Sequence, residues 1–328
     1  MAEDGASQET PDRVSAPMWP LIKLLPAKTN FRFVKYRKPL WALSIVMTIG
    51  SIILCVTPGL NFGIDFRGGS ILELTTPGRT VDVGRARAAL NDLRIGDVGV
   101  QEFGGPQSAQ IRFQNPEGAA PAETVDRVQR TLRDVLGQDV RFTRTDVIGA
   151  KVSGELFQSG LMALGVAILL MMIYIWFRFE FRFGVGAVVG LFHDVILCFG
   201  LIAVTQMEFS LTTVAGILTV IGYSMNDTVV VFDRIRENLR KYKRMPMGEL
   251  IDLSINETFS RTMITGPTAL MALAGLAIFG GEALWSFSMV LMFGLVFGTY
   301  SSIYVGAPLL MFWKRKEEPE GVVAAERP

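Results

Sequence analysis

Six long apolar runs dominate this 328-residue chain and leave it few folds to adopt. They lie at residues 40–56, 157–177, 183–204, 209–232, 263–281 and 284–313. A helix of about 20 apolar residues crosses a bilayer core of about 30 Å. Each run is apolar on every face, whereas a helix of a soluble core alternates wet and dry faces. The first run is short, and the last must tilt or continue past the bilayer. Trp41, Trp176, Trp285 and Trp313 fall at run edges, where interfacial tryptophan sits. Composition agrees: half the residues are hydrophobic and only 19% are charged, against roughly a quarter in soluble domains. The reading is an α-helical polytopic membrane protein with six transmembrane helices in a lipid bilayer.

Lysine and arginine set the expected orientation. With the N-terminus in the cytoplasm, the cytoplasmic segments hold seven before Pro39, then Arg178 and Arg182, seven between Arg234 and Arg261, and four in the tail. The short outer loops near 205–208 and 282–283 hold none. That is the positive-inside pattern, and it puts both termini inside. The block 57–156 carries twelve, but long segments translocate regardless of charge. The first 30 residues are polar and no A-x-A site follows the first run, so that run reads as a retained anchor rather than a signal peptide.

The expected layout is a cytoplasmic segment 1–39, a first span 40–56, an extracytoplasmic domain 57–156, a five-helix region 157–313 with a cytoplasmic loop 233–262, and a tail 314–328. Residues 1–17 have a disordered composition. Trp19–Leu25 and the basic residues after it read as an interfacial segment. Within 57–156, strands are expected at 71–76, 98–103, 109–114 and 140–147, with helices at 81–94 and 122–137. The order β-α-β-β-α-β predicts a ferredoxin-like α+β domain.

Several functions are excluded. A net charge of +1 argues against nucleic acid as a partner. Two cysteines, Cys55 and Cys198, both in apolar runs, form no disulfide scaffold or usual thiolate metal site. A single histidine rules out a His-rich metal cluster. No G-x-x-x-x-G-K-[ST] occurs, and Phe66–Ser70 lacks its lysine. Gly186/Gly190 and Gly294/Gly298 have the small-xxx-small spacing of helix packing. No enzyme, cofactor or metal site is predicted.

Charge inside the spans is the informative feature. Only Asp194 and Asp227 lie there, with His193 beside the former. A centred Asp costs about 2.5–3.5 kcal/mol on insertion scales, so it is a functional candidate. Thr212, Gly216, Thr219, Tyr223, Asn226 and Asp227 share a stripe at helical spacing, which must face the bundle or a partner. Arg261 opens the fifth span, close below Gly266-Pro267, a potential bend. Asp227 and Arg261 are expected to meet in the inner half of the bilayer. Protonation of Asp227 would release that pairing and let helices shift. One charge moving through 100 mV yields about 2.3 kcal/mol. His193-Asp194 reads as a proton relay or a packing pair. Adjacent residues point about 100° apart on a helix, so only one of them can face a given partner.

Four motifs converge. They are Gly63-Ile64-Asp65-Phe66-Arg67-Gly68-Gly69, His193-Asp194, Tyr223 through Glu237, and Asn256-Glu257-Thr258-Phe259-Ser260-Arg261-Thr262. Together they resemble the SecF branch of the SecD/SecF family of protein-export membrane subunits, over roughly residues 30–313. The resemblance implies six spans with an outer domain between the first two, half of a resistance-nodulation-division (RND)-type transporter. It implies pairing with SecD and work with the SecYEG channel, after SecA, to export preproteins across the bacterial inner membrane. YajC is admitted as a further partner. The implied energy source is the proton gradient, with sodium as the alternative ion. The family's charged pair maps onto Asp227 and Arg261. For the first motif, Gly68-Gly69 permit a tight turn, and an Asp65–Arg67 pair is expected to brace the outer domain. Two other readings remain: an RND-like exporter of lipid or small molecules, and a non-transporting scaffold.

Overall fold

The computed structural model describes residues 29–93, 95–96, 98–114 and 120–313. The N-terminal tail, the Trp19–Leu25 segment and the tail 314–328 lie outside the described residues. Six helices are long and apolar enough to cross a membrane. They are α1 (Arg37–Val56), α5 (Ala150–Arg178), α6 (Phe181–Thr205), α7 (Leu211–Lys241), α8 (Met247–Phe279) and α9 (Glu282–Ser301). Helix α9 continues into a π-helical turn, Ser302–Gly306, and short helical turns to Phe312. Between α1 and α5 stand α2 (Ile64–Arg67), β1 (Gly69–Thr75), α3 (Val83–Asn91), β2 (Val98–Glu102), β3 (Ser108–Phe113), α4 (Pro121–Leu136) and β4 (Arg141–Ile148).

Two expectations about element ends need correction. Residues 233–262 are not a loop. Helix α7 runs on to Lys241 and α8 starts at Met247, leaving only 242–246 as the turn. At 1.5 Å per residue α7 is about 46 Å long, so it projects beyond the bilayer core. The projecting ends are polar yet stay helical because they pair with each other: Arg234 Nε donates to Glu257 Oε2 at 2.6 Å, and Asn238 bonds Glu257 and Ser254. Likewise α5 begins seven residues ahead of the apolar run at 157.

The outer domain has the expected order β-α-β-β-α-β. Its antiparallel sheet runs β2-β3-β1-β4, the split arrangement that places each helix crossover over the sheet. Alternation along β1 and β3 sends Leu72, Leu74, Ala109, Ile111 and Phe113 toward α3 and α4, where Leu90, Val128 and Leu132 close the core. The opposite face carries Glu73, Gln101, Gln110, Arg112 and Arg144, and it looks into a cleft of about 720 Å³ above the helix ends.

In the bundle, α6, α7 and α9 form the centre. Their apolar windows are 61, 56 and 56% buried, against 11% each for α1, α5 and α8. Leu161, Leu169, Ile264 and Met271 on the outer helices project outward, as lipid-facing residues do. Helix α9 approaches α7 closely at Gly294 and Gly298. A Cβ on Gly298 would lie 2.8 Å from Ser224 Cβ, and one on Gly294 would collide with Val220. The small-xxx-small spacing thus sets the α7–α9 distance. Gly294→Ala is expected to lower the thermal midpoint of the detergent-solubilised protein, by overpacking of about 1–3 kcal/mol. Adding Val220→Ala should recover most of the loss, and equal midpoints for wild type and Gly294→Ala would contradict this contact.

Candidate functional site

A buried polar seam joins the three central helices. Helix α6 carries Asp194, 1% exposed. Its Oδ2 accepts from Ser224 Oγ of α7 at 2.5 Å and from Ser301 Oγ of α9 at 2.7 Å. Its Oδ1 lies 2.9 Å from His193 Nδ1. Of the two adjacent residues only Asp194 faces Ser224 and Ser301, while His193, also buried, bonds Asp194 itself. One turn further along α7, Thr228 Oγ1 meets Ser302 Oγ at 2.7 Å. Asp227 Oδ2 accepts from Thr299 Oγ1 at 3.2 Å. Hydroxyls are what such a seam requires, because no water in the bilayer core can satisfy a carboxyl left alone. The π turn follows directly, and turns of that kind concentrate at functional sites.

Sequence reasoning found both acids and missed Ser224, Thr228, Thr299, Ser301 and Ser302. The available signal was hydroxyl clustering in apolar runs: Ser224, Asp227 and Thr228 at i, i+3, i+4, and Thr299, Ser301 and Ser302 near the end of α9.

Other expected pairings are not made. No ion pair joins Asp227 to Arg261 among the described residues. Asp227 is 7% exposed, whereas Arg261 is exposed on α8, near enough to act on the carboxyl through space only. The stripe on α7 also divides. Gly216 and Asp227 are buried, while Thr219 and Asn226 are exposed. Asn226 does not join Asp227; it lines an open groove between α5 and α7 with Tyr174 and Gly222. A 3.6-residue period turns these positions past the edge of the buried face.

The outer motif connects the outer domain to the start of α7. The expected Asp65–Arg67 pair is absent among the described residues. Asp65 Oδ2 instead accepts from Leu211 N at 2.9 Å, filling an orphan donor at the start of α7 beside the Ser210/Thr213 capping box. Arg67 lies over the Phe62 ring. Gly63 N donates to Phe209 O at 3.0 Å and Phe209 N to Asn61 O at 2.8 Å, stitching the chain entering the domain to the α6–α7 connection. Gly68 and Gly69 have φ of 73° and 125°, and a Cβ on Gly69 would sit 2.7 Å from Phe113 O. Only glycine fits that turn. Arg112 of β3 and Glu208, paired at 2.5 Å, latch the domain to the same connection. At the opposite end Asp233 pairs with Arg178 and, at 3.1 Å, with Arg236.

The family model described as protein export membrane protein SecD/SecF, C-terminal, matches residues 127–316, more than half the chain. The chain belongs to the SecD/SecF family. A second model, the SecD/SecF GG motif, matches residues 53–76, which include the outer joint. The chain is 41% identical over 296 residues to protein translocase subunit SecF of Rickettsia bellii, covering 90% of this chain and 97% of the relative. It is 45% identical over 317 residues to that of Rhodobacter capsulatus, covering 91% and 95%. The solved structure of SecDF, a translocon-associated membrane protein from Thermus thermophilus, superposes with a TM-score of 0.77 at 29% identity. That match covers 88% of this chain, which spans 39% of the SecDF chain. SecDF in its super-membrane-facing form gives a TM-score of 0.62 at 29% identity, over 90% and 40%. This SecD/SecF protein is thus a multi-pass membrane protein with a role in Sec-dependent export. Both intramembrane acids and Arg261 fall inside the first family match.

Two interhelical hydrogen bonds, from Ser224 and Ser301, converge on Asp194, and such bonds in membranes average about 0.6 kcal/mol each. Asp194→Ala should therefore cost about 1 kcal/mol, read as a lower unfolding midpoint in detergent. Asp194→Asn, which keeps an acceptor for Ser224 and Ser301, should cost less. An unchanged midpoint in the alanine variant would remove Asp194 from its place as the bundle's tie.

Proposed function

We propose that this protein is a SecD-partnered subunit of the protein-export machinery and couples the proton motive force to preprotein translocation across the bacterial inner membrane. It acts with the SecYEG channel after SecA, with YajC as a further associate. The outer domain is periplasmic and both termini are cytoplasmic, following the Lys/Arg asymmetry. Sodium is the alternative coupling ion.

The observation that carries the reading is the unequal satisfaction of the two intramembrane acids. Asp194 is held by three close partners across three helices. Asp227 has one donor, Thr299, at 3.2 Å, and no cation within ion-pair distance among the described residues. A carboxyl so weakly tied is the one able to exchange a proton. Arg261 is then its partner in another state of the cycle: ionised Asp227 draws the guanidinium of α8 inward, and protonated Asp227 releases it. The GG-motif joint ties the start of α7 to the outer domain, so displacement of α7 reaches the periplasmic side.

Pairing with SecD is supported by the groove between α5 and α7. It is open, about 440 Å³ in volume, and exposes the Asn226 amide amid Leu170, Met171 and Val229. An amide facing lipid is unfavourable, which favours a partner helix over this face.

The test is preprotein translocation into vesicles holding this chain with its SecD, with and without an imposed pH gradient. Asp227→Asn should assemble normally and lose the gradient-dependent stimulation. Arg261→Met should also assemble and be uncoupled. Full stimulation in Asp227→Asn would remove proton coupling through this site, and loss of assembly in Arg261→Met would favour a scaffold.

A further inference from the structure

A cavity of about 10 Å³ adjoins Asp227. Its polar lining comes from Asp227, Thr258, Thr262, Thr299 and Ser302, and Phe259 forms part of its wall. That volume accommodates about one water, and a carboxyl with neighbouring hydroxyls supplies the two to four polar partners a water needs. Arg261 of α8 and the phenol of Tyr223 are the titratable groups that bear on Asp227 electrostatically.

The wall residue Phe259 is also the anchor of an N-terminal strap. Residues 29–36 lie against the start of α8, on the side of the bundle away from the outer domain. One side chain, Asn256, holds both backbone groups of Phe31: its Oδ1 accepts from Phe31 N at 2.9 Å, and its Nδ2 donates to Phe31 O at 2.8 Å. Asp252 Oδ1 accepts from Val34 N at 2.8 Å. The strap then packs two rings against Phe259, Phe31 edge-on at 5.7 Å and Phe33 tilted at 5.4 Å between centroids. Phe33 also meets Tyr304 of the π turn at 6.2 Å. Phe33 is 8% exposed, although it precedes the first membrane helix.

We propose that this cavity is a one-water relay site for Asp227, and that Phe259, clamped by the strap, is the gate closing it toward the aqueous phase on the strap side. The inference rests on the proton-coupling reading above and assigns that path its exit. With the gate open, hydronium at the site gives its proton to the Asp227 carboxylate, leaving water and the neutral acid; the reverse step discharges it. With the gate shut, Asp227 exchanges no proton with that side, which is what prevents an idle leak.

The experiment is passive proton flux into vesicles containing the chain and its SecD, followed by an internal pH dye after an external pH jump, with no preprotein present. Phe31→Ala/Phe33→Ala should leak several-fold faster than wild type. Adding Asp227→Asn to that variant should return the leak to the wild-type level. Phe33→Leu, which retains bulk, should stay tight. Phe31 is 54% exposed, so Phe31→Ala leaves the bundle core intact and provides the reading if the double variant does not assemble; Asn256→Ala, which frees the strap, provides a second. A wild-type leak rate in the strap variants overturns the gate, as does a leak that survives Asp227→Asn. Failure of the underlying reading looks different: Asp227→Asn would then keep gradient-stimulated translocation with the strap intact.

Discussion

The absence of water in a bilayer core is the constraint on which the rest of this structure depends. Helices α6, α7 and α9 are held together where a carboxyl that could find no water finds hydroxyls instead. Asp194 draws Ser224 and Ser301 to one point, and Thr228 with Ser302 repeats the arrangement one turn away. Close packing at Gly294 and Gly298 makes these short bonds reachable, because any larger side chain would hold α9 away from α7. The polar seam and the small-residue seam are two faces of a single contact. The remaining spans cover this centre and present their apolar sides to lipid.

Helix α7 links the functional parts. Its first residue is bound by Asp65 at the entry to the outer domain, its middle carries Ser224, Asp227 and Thr228, and toward its far end Asp233 and Arg234 pair with Arg178 of α5 and Glu257 of α8. A helix is stiff along its axis, so a change in how its centre is held is carried to both ends. Under the proposed function this is how a proton at Asp227 moves a domain outside the bilayer. The Arg112–Glu208 pair ties the outer domain to the connection just before α7.

Of the two acids, the more deeply buried one is the better satisfied. Deep burial with three partners describes a tie, whereas one long hydrogen bond beside a water-sized cavity describes a group free to change state. Under the proposed function the exposed position of Arg261 belongs with this: a permanent Asp227–Arg261 bond would leave nothing for a proton to switch.

The six spans, the β-α-β-β-α-β domain and the two intramembrane acids were all legible in the residues. Burial is settled by hydrophobicity and periodicity, and these are local properties of the chain. The turn at Gly68-Gly69 was legible for a similar reason, since only glycine adopts those dihedrals cheaply. Which side chains meet was not legible. Asp65 reaching Leu211 across 146 positions, Asp194 gathering Ser224 and Ser301, Asn226 turning outward while Asp227 turns in, and Phe31 and Phe33 closing on Phe259 all depend on helix rotation and crossing distance. Rotation and distance are properties of packed pairs of helices. The order of residues along one chain therefore determined which groups lie in the membrane, and only the tertiary structure decided which of them touch.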